Sequence, residues 1–128
     1  MAYVTATVMV VLLQYFYFGL EVGRARARCG VAAPAVTGNE EFDRYFRVQQ
    51  NTLEQVVMYV PASFACAYYA DAMVAVICGV IFLIGRSMYF RAYVREPNSR
   101  TAGMIMTIAA NLVLILATLV AIIRGWLL

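Results

Sequence analysis

Four polar residues in the stretch RVQQNTLEQ have the spacing of one helical face. Arg47, Gln50, Asn51 and Glu54 are related as i, i+3, i+4 and i+7, with Asp43 one turn earlier. The segment that carries them is otherwise apolar enough to predict a membrane helix. A charged side chain that faces lipid costs about 2.5 to 3.5 kcal/mol on insertion scales. These side chains are therefore expected to face one another, another subunit or a ligand.

A second polar stripe follows in the next apolar segment, where Arg86, Tyr89 and Tyr93 fall at i, i+3 and i+7. A very short turn at Ala70 joins the two segments and predicts an antiparallel hairpin. The pairs expected at equal depth are Glu54 with Arg86, Asn51 with Tyr89, and Arg47 with Tyr93. At 1.5 Å per residue these pairs lie roughly 22 to 33 Å from the turn, in a hydrocarbon layer about 30 Å thick. The stripes predict a polar shaft that opens at one membrane surface.

The predicted shaft has more cations than carboxylates. Arg47, Arg86 and Arg100 face only Glu54 and Asp43. The surplus positive charge predicts an anionic ligand, since ionisable groups within membrane segments mark functional sites by default. The alternative is a network that satisfies itself and only fixes the packing of the helices.

Arg100 is expected at or near the start of the fourth helix. It follows Pro97, with Asn98 and Ser99 as candidate N-caps. A cation adds to the positive end of the helix dipole, which is unfavourable unless an anion occupies the site. The alternative for Arg100 is an arginine that snorkels to the membrane surface.

The amino-acid composition indicates the fold class that positions these residues. Of 128 residues, 64% are hydrophobic and the mean hydropathy is +0.77, well above soluble proteins. We predict an all-α integral membrane protein, an up-down bundle of four helices at about 2–22, 42–69, 71–95 and 100–126, in one domain spanning residues 1–128. The first segment has no preceding cation and no small-residue cleavage site, so it is expected to be a permanent helix.

Arginines cluster after the first segment and around the third connection, whereas the short turn at Ala70 has none. By the positive-inside rule, the first and third connections, and with them the shaft, are expected to face the cytoplasm. The net charge of +3 is then explained by topology, and no nucleic-acid partner is expected.

Several chemistries are excluded because the sequence contains neither lysine nor histidine. Serine or cysteine nucleophiles activated by histidine, histidine metal sites and Schiff bases are not possible. Cys29, Cys66 and Cys78 include no CxxC pair, so no metal is expected, and Cys66 and Cys78 are interpreted as packing residues.

The motifs RVQQNTLE, GRSMYFRAY and EPNSR resemble the membrane-associated proteins in eicosanoid and glutathione metabolism, the MAPEG family. The sequences of the NTLE and EPNSR motifs most resemble those of the third microsomal glutathione transferase and its bacterial relatives. The resemblance implies a homotrimer with a glutathione site at each subunit interface, open to the cytoplasm. Together with the lysine-free composition, it favours a bacterial inner membrane.

The resemblance also implies roles for individual residues. Arg100 is the implied catalytic residue, which stabilises the glutathione thiolate. The implied glutathione-binding residues are Arg26, Arg47, Gln49, Asn51, Glu54, Arg86, Tyr89 and Tyr93. Glutathione is then a cosubstrate, and the implied activity is that of a transferase or peroxidase acting on a lipophilic electrophile or a lipid hydroperoxide from the bilayer.

Two other functions are compatible with a small four-helix membrane protein. A non-catalytic lipid-binding scaffold of the same family is one, although that branch lacks the arginine that matches Arg47. A small multidrug transporter is the other, but it should carry an isolated acid in the middle of its first helix. In this chain the first segment offers only Gln14 there, with Glu21 near its end.

Overall fold

A computed structural model describes all residues 1–128 and contains four α-helices. They are α1 (Ala2–Cys29), α2 (Glu40–Tyr69), α3 (Ala72–Arg95) and α4 (Thr101–Leu127), with a short 3-10 turn at Pro97–Ser99. Helices α1, α3 and α4 are long and apolar enough to cross a membrane, whereas α2 carries the polar stripe. The predicted all-α membrane bundle of four helices is confirmed.

The first helix is longer than predicted, because it ends at Cys29 rather than near residue 22. A helix of 28 residues is roughly 42 Å long, more than the ~30 Å of the hydrocarbon layer. Its last turns therefore project beyond the hydrocarbon, and Arg24, Arg26 and Arg28 lie on helix rather than in a loop. Gly30 ends the helix with a φ of 69°, a left-handed conformation that glycine adopts readily.

The hairpin predicted about Ala70 is confirmed, since only Ala70 and Asp71 separate α2 from α3. The Asp71 carboxylate caps α3 by accepting hydrogen bonds from the backbone N–H groups of Met73 and Val74, at 2.6 and 3.0 Å. This tight connection fixes the depth of each α2 residue relative to α3.

Helices α2 and α3 each pack against the other three, so α1 and α4 lie on opposite sides of this central pair. The main core combines small and branched side chains from all four helices. It consists of Val4, Val8, Val11, Val56, Tyr59, Cys66, Ala75, Cys78, Phe82, Ala110 and Leu114. Cys66 and Cys78 are buried packing residues, as predicted.

Helices α3 and α4 approach most closely at Gly85 and Gly103. A β-carbon on Gly103 would lie 2.5 Å from the Gly85 carbonyl oxygen and 2.6 Å from the Tyr89 backbone nitrogen. These neighbours are backbone atoms, so they cannot move aside as a side chain would. The small residues thus set the distance between the helix that carries Tyr89 and the helix that begins beside Arg100.

We expect Gly103→Ala to destabilise the protein by about 1 to 3 kcal/mol, the usual cost of overpacking a tight contact. The measurement is thermal unfolding in detergent. Gly125→Ala, on the same helix but with no atom within 4 Å of the added carbon, is the matched control and should unfold as the wild type does. Equal stability of both variants would contradict the close contact at Gly103.

Candidate functional site

The polar stripe of α2 lines a groove of about 460 Å³. Arg47, Gln50 and Glu54 are exposed in this groove and Asn51 is half-buried. The full lining is Val36, Thr37, Asp43, Phe46, Arg47, Gln50, Asn51 and Glu54. The periodicity of the sequence therefore predicted one continuous surface, which we call the α2 groove.

The connection between α1 and α2 forms one wall of the α2 groove. The Thr37 hydroxyl donates to the Asp43 carboxylate at 2.9 Å. Arg26, near the end of α1, donates to the Ala35 carbonyl at 2.6 Å, and its guanidinium lies 4.7 Å from the centre of the Phe42 ring. Within one chain, Arg26 therefore anchors this connection and is not among the residues that line the groove.

A buried network lies directly behind the α2 groove. The Asn51 side-chain amide donates to the Tyr89 hydroxyl at 2.7 Å, which agrees with the equal depth predicted for these two residues. The Arg86 guanidinium lies 3.9 Å from the centre of the Tyr89 ring and donates to the Thr52 hydroxyl at 3.1 Å. Arg86 is only 2% exposed, so its contacts reach the groove indirectly, through Tyr89 and then Asn51.

Contacts continue from Tyr89 to the start of α4. The rings of Tyr89 and Tyr93 are 5.5 Å apart, and the Arg100 guanidinium lies 5.6 Å from the Tyr93 ring. Arg100 also donates to the Pro97 carbonyl at 2.7 Å. A series of aromatic and cationic contacts therefore runs from α3 to the start of α4, through Arg86, Tyr89, Tyr93 and Arg100.

The prediction that Asn98 or Ser99 caps α4 is wrong, because Arg100 itself occupies the N-cap position and makes no capping hydrogen bond with its side chain. The Ser99 hydroxyl instead donates to the Glu96 carbonyl at 2.7 Å, with the Ala92 carbonyl in the last turn of α3 at 3.2 Å. The first turn of α4 has no acidic residue. The positive end of this helix and the Arg100 guanidinium therefore reinforce each other.

One chain does not bring all the predicted site residues together. Gln49 lies on the α1 side of α2, where a β-carbon on Gly19 would be 2.8 Å from its amide nitrogen. Arg26 holds the first connection, and Arg86 contacts Thr52 rather than Glu54, which is on the exposed side of α2. The predicted single shaft is therefore two layers, the α2 groove and the network behind it, joined by the bond between Asn51 and Tyr89.

Sequence reasoning missed Thr52, which lies on the buried side of α2 with Val48 and Val56. The signal was present in the hairpin register, because Thr52 and Arg86 are nearly equidistant from the turn at Ala70. A hydroxyl at that level is a suitable acceptor for a buried guanidinium.

We expect Thr52→Val to cost about 1 to 3 kcal/mol of stability, since a buried donor of Arg86 would lose its partner. Thr107→Val is the matched control, because Thr107 is equally buried but its hydroxyl bonds only to a carbonyl of its own helix. Thermal unfolding in detergent compares the two variants. A similar loss in both would show that the Arg86 bond contributes no more than a helix-internal hydroxyl bond.

The charged residues that line the α2 groove are Arg47 and two carboxylates, Asp43 and Glu54, so the surplus of cations predicted for the shaft lies outside the groove, at Arg86 and Arg100. The three salt bridges join Arg24 with Glu21, Arg28 with Glu41, and Arg44 with Glu40, all near the end of α1 and the start of α2. Arg47 and Glu54 take part in none of them. The α2 groove therefore presents a free guanidinium and a free carboxylate, a pair that suits a ligand with both an acidic and an amino group.

Comparison of the sequence with known proteins identifies the family of this chain. Residues 4–120 match the MAPEG family. An uncharacterised protein of Synechocystis is 39% identical over 108 residues, which cover 84% of this chain and 79% of that protein. Leukotriene C4 synthase of Cavia porcellus is 37% identical over 116 residues, covering 90% and 77% respectively. Human microsomal glutathione S-transferase 2 is 37% identical over 90 residues, which are 70% of this chain but only 61% of that protein. This integral membrane protein of four helices belongs to the MAPEG family.

Proposed function

We propose that this protein is a glutathione S-transferase that also reduces lipid hydroperoxides. The observation that carries the proposal is the α2 groove, in which Arg47 and Glu54 are free of ion pairs beside the network of Asn51, Tyr89 and Arg86. The name of one relative, a glutathione S-transferase, supports glutathione as the thiol substrate.

The groove offers complementary groups to glutathione, which has two carboxylates, one ammonium and one thiol. Arg47 binds a carboxylate through two parallel hydrogen bonds, and Glu54 receives the ammonium. Asn51 holds the peptide in the groove, and Tyr89, buried behind it, positions the Asn51 amide while Arg86 keeps the Tyr89 ring in place. Tyr93, half-buried and closer to Arg100, is assigned to the peptide from the side of the thiol. The hydrogen bond between Asn51 and Tyr89 joins the groove to the network behind it, so residues of both layers take part in binding.

The site is completed by a neighbouring copy in a homotrimer. Arg26 and Gln49 lie outside the α2 groove of their own chain, near the surface that α1 shares with α2. In the trimer, Arg26 and Gln49 of one subunit would reach the glutathione bound in the α2 groove of the next subunit. Arg26 would then bind a glutathione carboxylate in place of the Ala35 carbonyl. Each interface then holds one glutathione, open to the cytoplasm of a bacterium.

Arg100 and the positive end of α4 stabilise the glutathione thiolate. A thiol with a pKa near 8.5 must lose its proton, and lowering that value by about two units requires roughly 2.7 kcal/mol of charge stabilisation. A guanidinium in a partly dry site, assisted by a helix N-terminus, supplies this amount. The released proton goes to solvent, so no general base is needed.

Two reactions follow from the thiolate. In conjugation, its sulfur attacks an electrophilic carbon, a carbon–sulfur bond forms, and the leaving group departs with its electron pair. In peroxide reduction, two glutathiones are oxidised to one disulfide while the hydroperoxide becomes an alcohol and water. Lipophilic substrates enter from the bilayer, which surrounds the exposed apolar side chains of α1 and α4.

The decisive experiment is titration of the detergent-solubilised protein with glutathione, following thiolate absorbance in the ultraviolet against pH. Saturable binding with thiolate formation below the pKa of free glutathione supports the transferase. Absence of glutathione binding would favour the lipid-binding scaffold of the same family. Proton-coupled efflux from vesicles that does not depend on thiol would favour the transporter.

A further inference from the structure

A second groove, which shares no lining residue with the α2 groove, lies between α1 and α3. It has a volume of about 560 Å³ and opens on the outer surface of the bundle. Its walls are apolar and include Val10, Leu13, Ile84 and Met88. We call it the α1–α3 groove.

The floor of the α1–α3 groove is polar, unlike its walls. The Gln14 amide donates to the Leu83 carbonyl and to the Ser87 hydroxyl oxygen, both at 2.9 Å. The Gln14 carbonyl oxygen is buried and has no hydrogen-bond partner in the chain. Because Ser87 accepts the amide hydrogen, its own hydroxyl hydrogen is free to bond a ligand in the groove.

The cytoplasmic end of the groove carries one cation and no carboxylate. Arg91 lines the groove, is exposed, and takes part in no salt bridge. It lies roughly 30 Å along α3 from Asp71, which places its guanidinium at the headgroup level of a bilayer with a hydrocarbon layer about 30 Å thick. Ser87, one turn earlier, lies roughly 6 Å deeper.

We propose that the α1–α3 groove is a binding site for one anionic glycerophospholipid of the surrounding membrane. From the membrane surface towards the bilayer centre, the groove presents a cation, a hydroxyl and apolar walls. A glycerophospholipid presents a phosphate, ester carbonyls and acyl chains in the same order. Arg91 pairs with the headgroup phosphate, the Ser87 hydroxyl donates to an ester carbonyl below it, and the apolar walls hold an acyl chain. Basic pockets between membrane helices recognise anionic lipids by this combination of charge and apolar surface.

This site is independent of the proposed glutathione chemistry. Arg86 and Tyr89 face the interior of the bundle, whereas Ser87 and Arg91 belong to the outer side of α3. A failure of lipid binding would therefore leave the proposed transferase unaffected, and the reverse also holds.

The test is native mass spectrometry of the whole protein, released from detergent that contains equal amounts of phosphatidylglycerol and phosphatidylcholine. The wild type should retain phosphatidylglycerol preferentially. Arg91→Gln should lower this preference about fivefold, the factor that corresponds to roughly 1 kcal/mol for one arginine near a membrane surface. Ser87→Ala, which keeps the charge, should lower the retention of both lipids.

Arg124→Gln is the matched control, since Arg124 is an exposed arginine on α4 outside the groove. It should keep the wild-type preference. Equal losses in the Arg91 and Arg124 variants would overturn the proposal, because arginines that snorkel without a defined site would behave alike. Crosslinking between copies through Leu13→Cys would also overturn it, because a second subunit would then occupy the groove. Leu13, Arg91 and Arg124 are exposed and Ser87 is half-buried. The unfolding temperatures of all variants verify that they fold.

Discussion

Replacing Arg100 with alanine is expected to lower the rate of glutathione conjugation about 25-fold at pH 7, rising towards a limit of about 100-fold at lower pH, while glutathione still binds. The limiting factor corresponds to about two pKa units of thiolate stabilisation, or roughly 2.7 kcal/mol. Binding should persist because the proposed site for the carboxylates and the ammonium is the α2 groove, which Arg100 does not line. The measurement is conjugation with a chlorodinitrobenzene at saturating glutathione, together with binding by calorimetry.

The loss in the Arg100→Ala variant should depend on pH in a defined direction. Below the pKa of free glutathione, near 8.5, the thiolate forms only where charge stabilises it, so the defect is largest there. As pH rises through that value, thiolate forms without the arginine, so the conjugation rates of the variant and the wild type should converge. A defect that stays constant across this range would mean that Arg100 acts on the fold or on binding instead.

Arg95→Ala is the control for the Arg100 variant. Arg95 is exposed on the same side of the membrane, and its side chain makes no salt bridge. It should retain the wild-type rate and pH profile. If it loses activity as the Arg100 variant does, the effect comes from general surface charge and the catalytic assignment is wrong.

The sequence predicted the hairpin and its register because two constraints are local. A short turn forces α2 and α3 to run antiparallel, and helical periodicity then sets depth. The bond between Asn51 and Tyr89 is the result of both. The same reasoning predicted the groove-lining face of α2, since a stripe of polar residues in an apolar helix has to avoid lipid.

Helical periodicity could not predict the rotation of α2, the end of α1 or contacts between subunits. The rotation of α2 decides that Arg86 contacts Thr52 and not Glu54, and rotation is set by packing against α1 and α4. The end of α1 was placed too early because Arg24 and Arg26 were interpreted as loop residues, although a helix continues into water at little cost. Arg26 and Gln49 depend on contacts that one chain does not contain, so their roles stay predictions.

Arg47→Gln is expected to weaken glutathione binding by about 10- to 100-fold. Arg47 is the exposed cation of the α2 groove and makes no salt bridge, so its guanidinium is free for a carboxylate. A hydrogen bond to a charged group contributes about 1.5 to 3 kcal/mol, which corresponds to this range. Calorimetric titration measures the change, and Arg95→Gln should bind as the wild type does.

Esters of glutathione identify which carboxylate Arg47 binds. In the wild type, esterifying the carboxylate that pairs with Arg47 should weaken binding by about the same factor as Arg47→Gln, because either change removes the same charged pair. In the Arg47→Gln variant, that ester and glutathione itself should bind equally, while the other monoester still binds more weakly than glutathione. If both esters lose the same affinity in both proteins, Arg47 pairs with neither carboxylate. The guanidinium of the α2 groove would then act only through its long-range field, and the site would have to be assigned to other arginines.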